Sequence, residues 1–447
     1  MSDRFDIIVI GSGSGGRGVA GRLADAGRRV AMVESGLVGG ECPYWACMPA
    51  KTLLRPGEVV AQARRVPGVA AAIRDWDQVV AFRDDVTAGF NDAEKTARYT
   101  ARGVTILRGQ GRLDGPGRVI VDGTVHRCDG VVIATGSAPV IPEITGLDTV
   151  DPWTNREAME MRRVPASAAV LGAGPVGVEI GQMLSRYGCQ VTLIGADDRL
   201  LDREEPAVGD LLGRALADDG IELLLGTTLT AAQMIGTSTR VTVHGHGTRD
   251  VERLVVATGR RPRVDDLGLD TVGIDPGDSG VEVDERCRAA DGVWAVGDVT
   301  GKGAFTHVAA YQARIVCADI LGHVVRADYR AVPRSIFSDP EVAAVGMTAA
   351  QAREAGIDTA SAAVPLGEME RSRTYGRDVV GCAGVLADTR ERTLVGAYAV
   401  GPLATEWIHM AVLAVHARVP VDVLADTIAQ FPTFSEAFVT AVRDLDI

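Results

Sequence analysis

At 447 residues the chain has room for about three domains, and with 46% apolar residues and few aromatics its composition is that of an ordinary globular enzyme. A net charge of −13 argues against a nucleic-acid groove or an anionic lipid surface as partner. No apolar run approaches the ~20 residues of a membrane span, which leaves a small molecule as the expected partner.

The N-terminus, "MSDRFDIIVIGSGSGG", reads as a strand entering a glycine turn, with no basic start and no cleavage site; the expected location is cytoplasmic. The full stretch to Gly36 holds strand, Gly11-x-Gly13-x-x-Gly16, a helical segment, and a second strand ending near Glu34, 23 residues after Gly11. Gly11 permits the tight turn, Gly13 lets backbone approach a pyrophosphate, and Gly16 lets helix and strand pack closely. Phosphates favour the free N–H groups of the helix N-terminus, and Glu34 is placed to accept from a ribose diol.

"GGECPYWACMPAKTLL" follows, from Gly39 to Leu54, with Cys42 and Cys47 five positions apart. A close cysteine pair in a reducing compartment points to redox or metal chemistry. No second Cys or His pair lies at ligand spacing, so no metal is expected. On a regular helix, residues five apart point about 140° apart, whereas a disulfide needs Cβ atoms within about 4.5 Å. The helix start is therefore expected to be distorted, and Pro43 is tolerated in a first turn. A thiolate near a helix N-terminus is also stabilised. Tyr44 and Trp45 either shield the pair and select a flat acceptor or pack against their own domain, and packing is the simpler reading. Cys128, Cys189, Cys287, Cys317 and Cys382 stand singly and read as small core residues.

"GVVIATGSAP" is an apolar strand ending in Ala-Thr-Gly, with Thr135 and Gly136 beside the first glycine turn's ligand; "SAPVIPEITG" then reads as a linker. The dinucleotide pattern recurs at Gly172-x-Gly174-x-x-Gly177, but the same 23-residue offset lands on Gly195 rather than an acid. An acid there favours NAD and a nearby arginine NADP; Arg199 follows Asp197 and Asp198, a slight tilt toward NADPH. "RLVVATGRRP" repeats the Ala-Thr-Gly ending at Gly259, and "GVWAVGDVT" ends an apolar strand at Asp298, where a carboxylate suits a sugar alcohol or a simple turn. Two such turns suggest two dinucleotides, one flavin and one nicotinamide.

Together these pieces resemble the flavin-dependent pyridine-nucleotide disulfide oxidoreductases, the family of dihydrolipoamide dehydrogenase, glutathione reductase and mercuric reductase. The resemblance covers essentially the whole chain. Its motif Gly-Gly-x-Cys-x4-Cys-x-Pro-x-Lys is matched by Gly39, Gly40, Cys42, Cys47, Pro49 and Lys51. It implies an α/β fold with two Rossmann-like domains, for FAD and NAD(P)H, plus a C-terminal α+β dimerisation domain. The implied boundaries are 1–145 with 267–323 for FAD, 146–266 for NAD(P)H, and 324–447 for the interface of a homodimer. It implies a redox-active Cys42–Cys47 disulfide bond in which Cys47 faces the flavin and Cys42 exchanges with substrate. Lys51 would stand by the flavin's reactive nitrogen, paired with Glu179.

The C-terminus departs from the family. Where most members carry His-Pro-Thr-x-x-Glu, this chain reads Phe431, Pro432, Thr433 and Glu436, so the family's acid/base is replaced by Phe431 and Glu436 loses its usual partner. A positioned acid/base is worth about 10²–10⁴-fold. The 2-ketopropyl-coenzyme M oxidoreductase/carboxylase branch also has phenylalanine there, to keep protons from a carbanion. It lacks the glutamate and the lysine, however. Mercuric reductase fits less well for want of a cysteine after Cys382. The expected activity is NAD(P)H oxidation through FAD and the Cys42–Cys47 disulfide to a disulfide or other electrophile. Alternatives are a quinone- or oxygen-type flavin reductase with a vestigial disulfide, chemistry like that of the carboxylase branch, and a redox-sensing flavoprotein.

Overall fold

Residues 7–10 are apolar and fully enclosed, the mark of a strand covered on both faces. In the computed structural model, which describes residues 4–73, 75–376 and 379–447, strand Arg4–Ile10 lies between Val30–Glu34 and Thr124–Ile133, parallel to both. Thr105–Arg108 extends this sheet on one side and Val293–Ala295 on the other. The expected domain start at residue 1 lies outside the described residues. Five helices position the functional residues: α1 (Ser14–Asp25), α2 (Glu41–Tyr44), α3 (Cys47–Arg65), α4 (Pro175–Arg186) and α5 (Thr306–Ile320).

The chain divides into two compact units. The first comprises Met1–Pro49, Ala81–Val140 and Gly259–Tyr329. Its distant third segment rejoins the others through Val293–Ala295 beside Thr124–Ile133, and through Arg260–Pro262 antiparallel to Ser137–Pro139. The second comprises Ala50–Val80, Ile141–Thr258 and Arg330–Ile447. It holds a parallel sheet ordered Glu222–Leu224, Gln190–Ile194, Ser167–Leu171, Arg253–Val256. It also holds a five-stranded antiparallel sheet ordered Pro333–Ile336, Glu341–Gly346, Thr393–Gly401, Cys382–Asp388, Thr359–Pro365. Phe438 and Val442 of helix Ser435–Arg443 share a core with Val385 and Ala399 of that sheet. The architecture is α/β with two dinucleotide-binding sheets and an α+β C-terminal part.

Residues 50–80 fall in the second unit. Leu53, Leu54 and Val79 pack there with Val178, Met183 and Leu184, and each such buried side chain contributes about 1.5–3 kcal/mol.

Both glycine turns press backbone against backbone. A Cβ at Gly16 would lie 2.0 Å from the Gly11 carbonyl oxygen, and one at Gly177 would lie 1.9 Å from that of Gly172. Each turn also abuts its own Ala-Thr-Gly strand end: Cβ atoms at Gly11 and Gly172 would meet the Ala134 and Ala257 carbonyl oxygens at 2.3 and 2.2 Å. Gly177→Ala is expected to lower stability by about 1–3 kcal/mol through overpacking, read as a fall in the urea unfolding midpoint.

Candidate redox site

The cysteine stretch does not form one helix. Helix α2 ends at Trp45 (φ −131°, ψ 6°), and α3 starts two residues later at Cys47. This break is the expected distortion: it frees Cys47 from the angular spacing that a regular helix would impose relative to Cys42. Both are free thiols and half-buried. The Cys42 thiol is pushed far above the ordinary thiol range, first by its hydrogen bond with Cys47 and then by burial, against the opposing pull of the Thr306 hydroxyl and the Arg17 charge. Cys47 Sγ lies 3.5 Å from Thr306 Oγ1 at the start of α5.

The flanking residues anchor this stretch within the first unit. Tyr44 is fully buried. Its hydroxyl donates to the Val38 and Asn91 carbonyls, and the Lys95 ammonium stands 4.6 Å over its ring. Trp45 packs against it with ring centroids 5.6 Å apart, so packing within the domain accounts for Tyr44. The Glu41 carboxylate accepts from Arg260 at 2.8 Å and Arg263 at 3.2 Å. Nothing in the sequence pattern marks this clamp, because Glu41 lies over 200 positions from both arginines.

In the second unit Lys51 Nζ donates to both Glu179 carboxylate oxygens, at 2.7 and 3.0 Å. Glu179 Oε1 also accepts from the Phe337 backbone N–H at 2.9 Å, and the Lys51 ammonium stands 4.7 Å over the Phe337 ring. Phe337 carries no motif of its own, and no sequence signal marks it. Further along the same face of α4, Gln182 bonds the Asp339 backbone at both N–H and C=O, and Arg186 bonds its carboxylate. Arg65 of α3 reaches that carboxylate too, at 2.9 Å.

The dinucleotide cradles differ in one respect. At the first turn Glu34 Oε2 accepts from the backbone N–H and hydroxyl of Ser12, and Oε1 from the Gly36 N–H. At the second, Ala173 replaces Ser12. A Cβ at Gly195 would stand 2.7 Å from the Ala173 methyl, so the space an acid would need is filled. Arg199 is exposed and donates to the Asp202 carbonyl. Gly13 and Gly174 face open space where a Cβ would project, and the N-termini of α1 and α4 carry neither a side-chain cap nor a first-turn acid. That leaves uncompensated N–H groups suited to an anion, so the residues fit two dinucleotides.

Asp298 Oδ2 accepts from the Ser137 hydroxyl at 2.6 Å, and Ser137 Oγ accepts from Arg260. Thr135 donates its hydroxyl to the Arg263 carbonyl, Gly136 accepts from the Arg263 N–H, and Gly259 accepts from the Val140 N–H. In the second unit, Phe431 is 69% exposed. Glu436 accepts from the Thr433 N–H at 3.0 Å, which engages it locally at the start of its helix.

Residues 5–313 match the pyridine nucleotide-disulphide oxidoreductase family, and residues 332–442 match its dimerisation domain. The chain belongs to this family. It is 34% identical over 455 residues to a mercuric reductase of Streptomyces lividans (98% of this chain, 96% of that one). It is 31% identical over 453 residues to a dihydrolipoyl dehydrogenase of Thermus scotoductus (99% and 97%). Among solved structures it resembles the copper(II) complex of the HOCl-induced flavoprotein disulfide reductase RclA from Escherichia coli, with a TM-score of 0.86 and 27% identity over 98% of this chain and 99% of that one. Mercuric reductases thus stand among its near relatives over the whole chain, although no cysteine follows Cys382. As a member of the pyridine nucleotide-disulphide oxidoreductases, the protein is an FAD- and NAD(P)H-dependent oxidoreductase that acts on small molecules and pairs through its dimerisation domain. No helix among the described residues is long and apolar enough to cross a membrane.

Glu179→Gln keeps the side chain's size but removes the charge that Lys51 faces. Leaving one member of a largely buried pair alone is expected to cost about 1–3 kcal/mol, seen as a lower urea midpoint. The Lys51→Met/Glu179→Leu double variant is expected to lie closer to wild type than Glu179→Gln.

Proposed function

We propose that the chain carries electrons from NAD(P)H through FAD to Cys42–Cys47 and on to a disulfide or similar thiol-reactive acceptor. The observation that carries this reading is the pair of hydrogen-bonded thiols across the α2–α3 break. Bound FAD supplies the two-electron step between nicotinamide and thiols. The first glycine turn, Glu34 and Asp298 hold the flavin dinucleotide, and the second turn holds the nicotinamide dinucleotide. The 1–145 with 267–323, 146–266 and 324–447 divisions describe these domains. The filled position at Gly195 removes the carboxylate that favours NADH, which supports NADPH. We place the protein in the cytoplasm.

In the reduced pair, Cys47 is the sulfur at the flavin and Cys42 the one that meets the acceptor. Cys42 attacks one sulfur of a substrate disulfide, whose S–S bond breaks and releases the first thiolate. Cys47 then attacks the Cys42 sulfur, the Cys42–Cys47 bond re-forms, and the second thiolate leaves. The two electrons of the reduced pair have passed to the acceptor. Lys51, held by Glu179 and Phe337, places a fixed positive charge on the helix that Cys47 opens. Phe431 supplies no proton, so acid/base work falls to other groups.

A second reading takes a thiophilic metal ion as acceptor. It is supported by the mercuric reductase relatives and by RclA, which has been crystallised with copper(II).

Anaerobic titration with NADPH and NADH is expected to take up four electrons, with a long-wavelength absorbance band after the first two. Cys42→Ser is expected to abolish disulfide reduction while the flavin is still reduced. Uptake of only two electrons, or full disulfide reduction by Cys42→Ser, would sink the thiol relay in favour of direct flavin oxidation.

A further inference from the structure

Asp298 sits in a turn too short to hold its own shape. Gly297 precedes it at φ 82° and ψ −157°, Gly301 follows Thr300 at φ 65°, and Asp298–Thr300 is a single 3-10 turn between them. The Thr300 N–H and hydroxyl both donate back to the Gly297 carbonyl, at 3.0 and 2.8 Å. The Gly297 N–H lies inside the protein and needs an acceptor from elsewhere. Gln312 of α5 supplies it, with Oε1 2.6 Å away. Its Nε2 donates to the Thr300 hydroxyl at 3.1 Å and to the Tyr329 hydroxyl at 2.9 Å. One side chain therefore holds the residue before Asp298 and the residue two after it.

The polarity of this arrangement is fixed. The Gly297 N–H can only donate, so the amide turns its oxygen there and its two hydrogens to the hydroxyls. Thr300 Oγ1 accepts from the Gln312 amide and from the Lys302 N–H, so its own proton goes to the Gly297 carbonyl. Gln312 is fully buried, on a helix whose other enclosed positions include Val308, Ala313, Ile315 and Val316. An apolar side chain would fill that space without the desolvation cost of a carboxamide, so packing alone does not call for glutamine. The chain leading into the turn is pressed onto the first dinucleotide cradle: a Cβ at Gly15, in the first turn of α1, would lie 2.8 Å from Val296 Cγ2. The Asp298 carboxylate also takes the Ser137 hydroxyl at 2.6 Å.

We propose that Gln312 is a positioning residue for the flavin dinucleotide: its amide holds the Gly297–Thr300 turn in the shape that presents the Asp298 carboxylate, and the Tyr329 hydroxyl fixes the amide. Gln312 acts through Asp298 and touches no cofactor itself. This rests on the reading that Asp298 helps to hold the flavin dinucleotide, and it is independent of what Cys42 and Cys47 do with the electrons.

The test is the FAD dissociation constant, read from the fluorescence of free flavin as each holoenzyme is diluted, with folding checked by circular dichroism. Asp298→Ala is expected to weaken FAD binding by about ten- to a hundredfold, the worth of a hydrogen bond to a charged group. Gln312→Met keeps the volume and removes all three bonds, and is expected to weaken it by about tenfold. In the Asp298→Ala background Gln312→Met is expected to add less than about twofold, because no carboxylate is left to place. Tyr329→Phe removes one acceptor from the amide and is expected to weaken FAD by about threefold; it carries the same cycle with Asp298→Ala should Gln312→Met not fold. A merely structural glutamine would lower the urea midpoint and weaken FAD equally in both backgrounds, and that result overturns the assignment. Unchanged FAD affinity in Gln312→Met beside a weakened Asp298→Ala overturns it too. Unchanged affinity in Asp298→Ala overturns it together with the reading of Asp298, while the thiol relay is judged separately by electron uptake.

Discussion

A largely buried carboxylate costs several kcal/mol unless donors meet it, and Glu179 accepts three hydrogen bonds from two donors: the Lys51 ammonium at both oxygens, and the Phe337 backbone N–H. The acceptor and its two donors come from three different parts of the second unit. Lys51 belongs to the helix that Cys47 opens, Glu179 to the helix after the second glycine turn, and Phe337 follows the first strand of the C-terminal sheet. Gln182 and Arg186, one and two turns further on, fasten Asp339 to the same helix. Satisfying one charge therefore fixes the register of three elements, and Lys51 inherits a defined position. A side chain as flexible as lysine otherwise loses considerable rotamer entropy when held. Here an ion pair and an aromatic face offset that loss.

In the first unit the governing constraint is the break between α2 and α3. Two cysteines five apart cannot meet on a straight helix, so the chain stops, turns at Trp45 and starts again. Tyr44, buried and bonded to two carbonyls, pins the end of the first helix, and the Glu41 clamp pins its start. The restart places Cys47 at a helix N-terminus, where a thiolate is favoured. The geometry that lets the sulfurs approach thus also makes them unequal: Cys47 opens a helix, whereas Cys42 lies within one.

The two glycine turns are near copies in backbone, with closest approaches that agree within 0.1 Å at Gly16 and Gly177. They diverge in side chains at the ends of the second strands. Ser12 gives Glu34 two hydrogen bonds, whereas the Ala173 methyl occupies the corresponding space beside Gly195. The missing acid at the second turn is therefore matched by a neighbour that would not accommodate one.

The sequence alone determined the fold class, both dinucleotide turns, the thiol pair and the partnership of Lys51 with Glu179. These depend on short spacings or on a motif, and short spacings survive in any fold that uses them. It also led to the expected distortion between Cys42 and Cys47, because helix geometry forbids the alternative. Tertiary structure alone decided the rest. Thr306, 259 residues from Cys47, Arg260 and Arg263 beside Glu41, and Phe337 under Lys51 come from remote segments that no local pattern links. The same holds for residues 50–80, whose apolar side chains match either unit in composition and are assigned only by the cores they enter. Contacts of this kind depend on which surfaces the folded chain brings together, and a single sequence carries no spacing from which to read them.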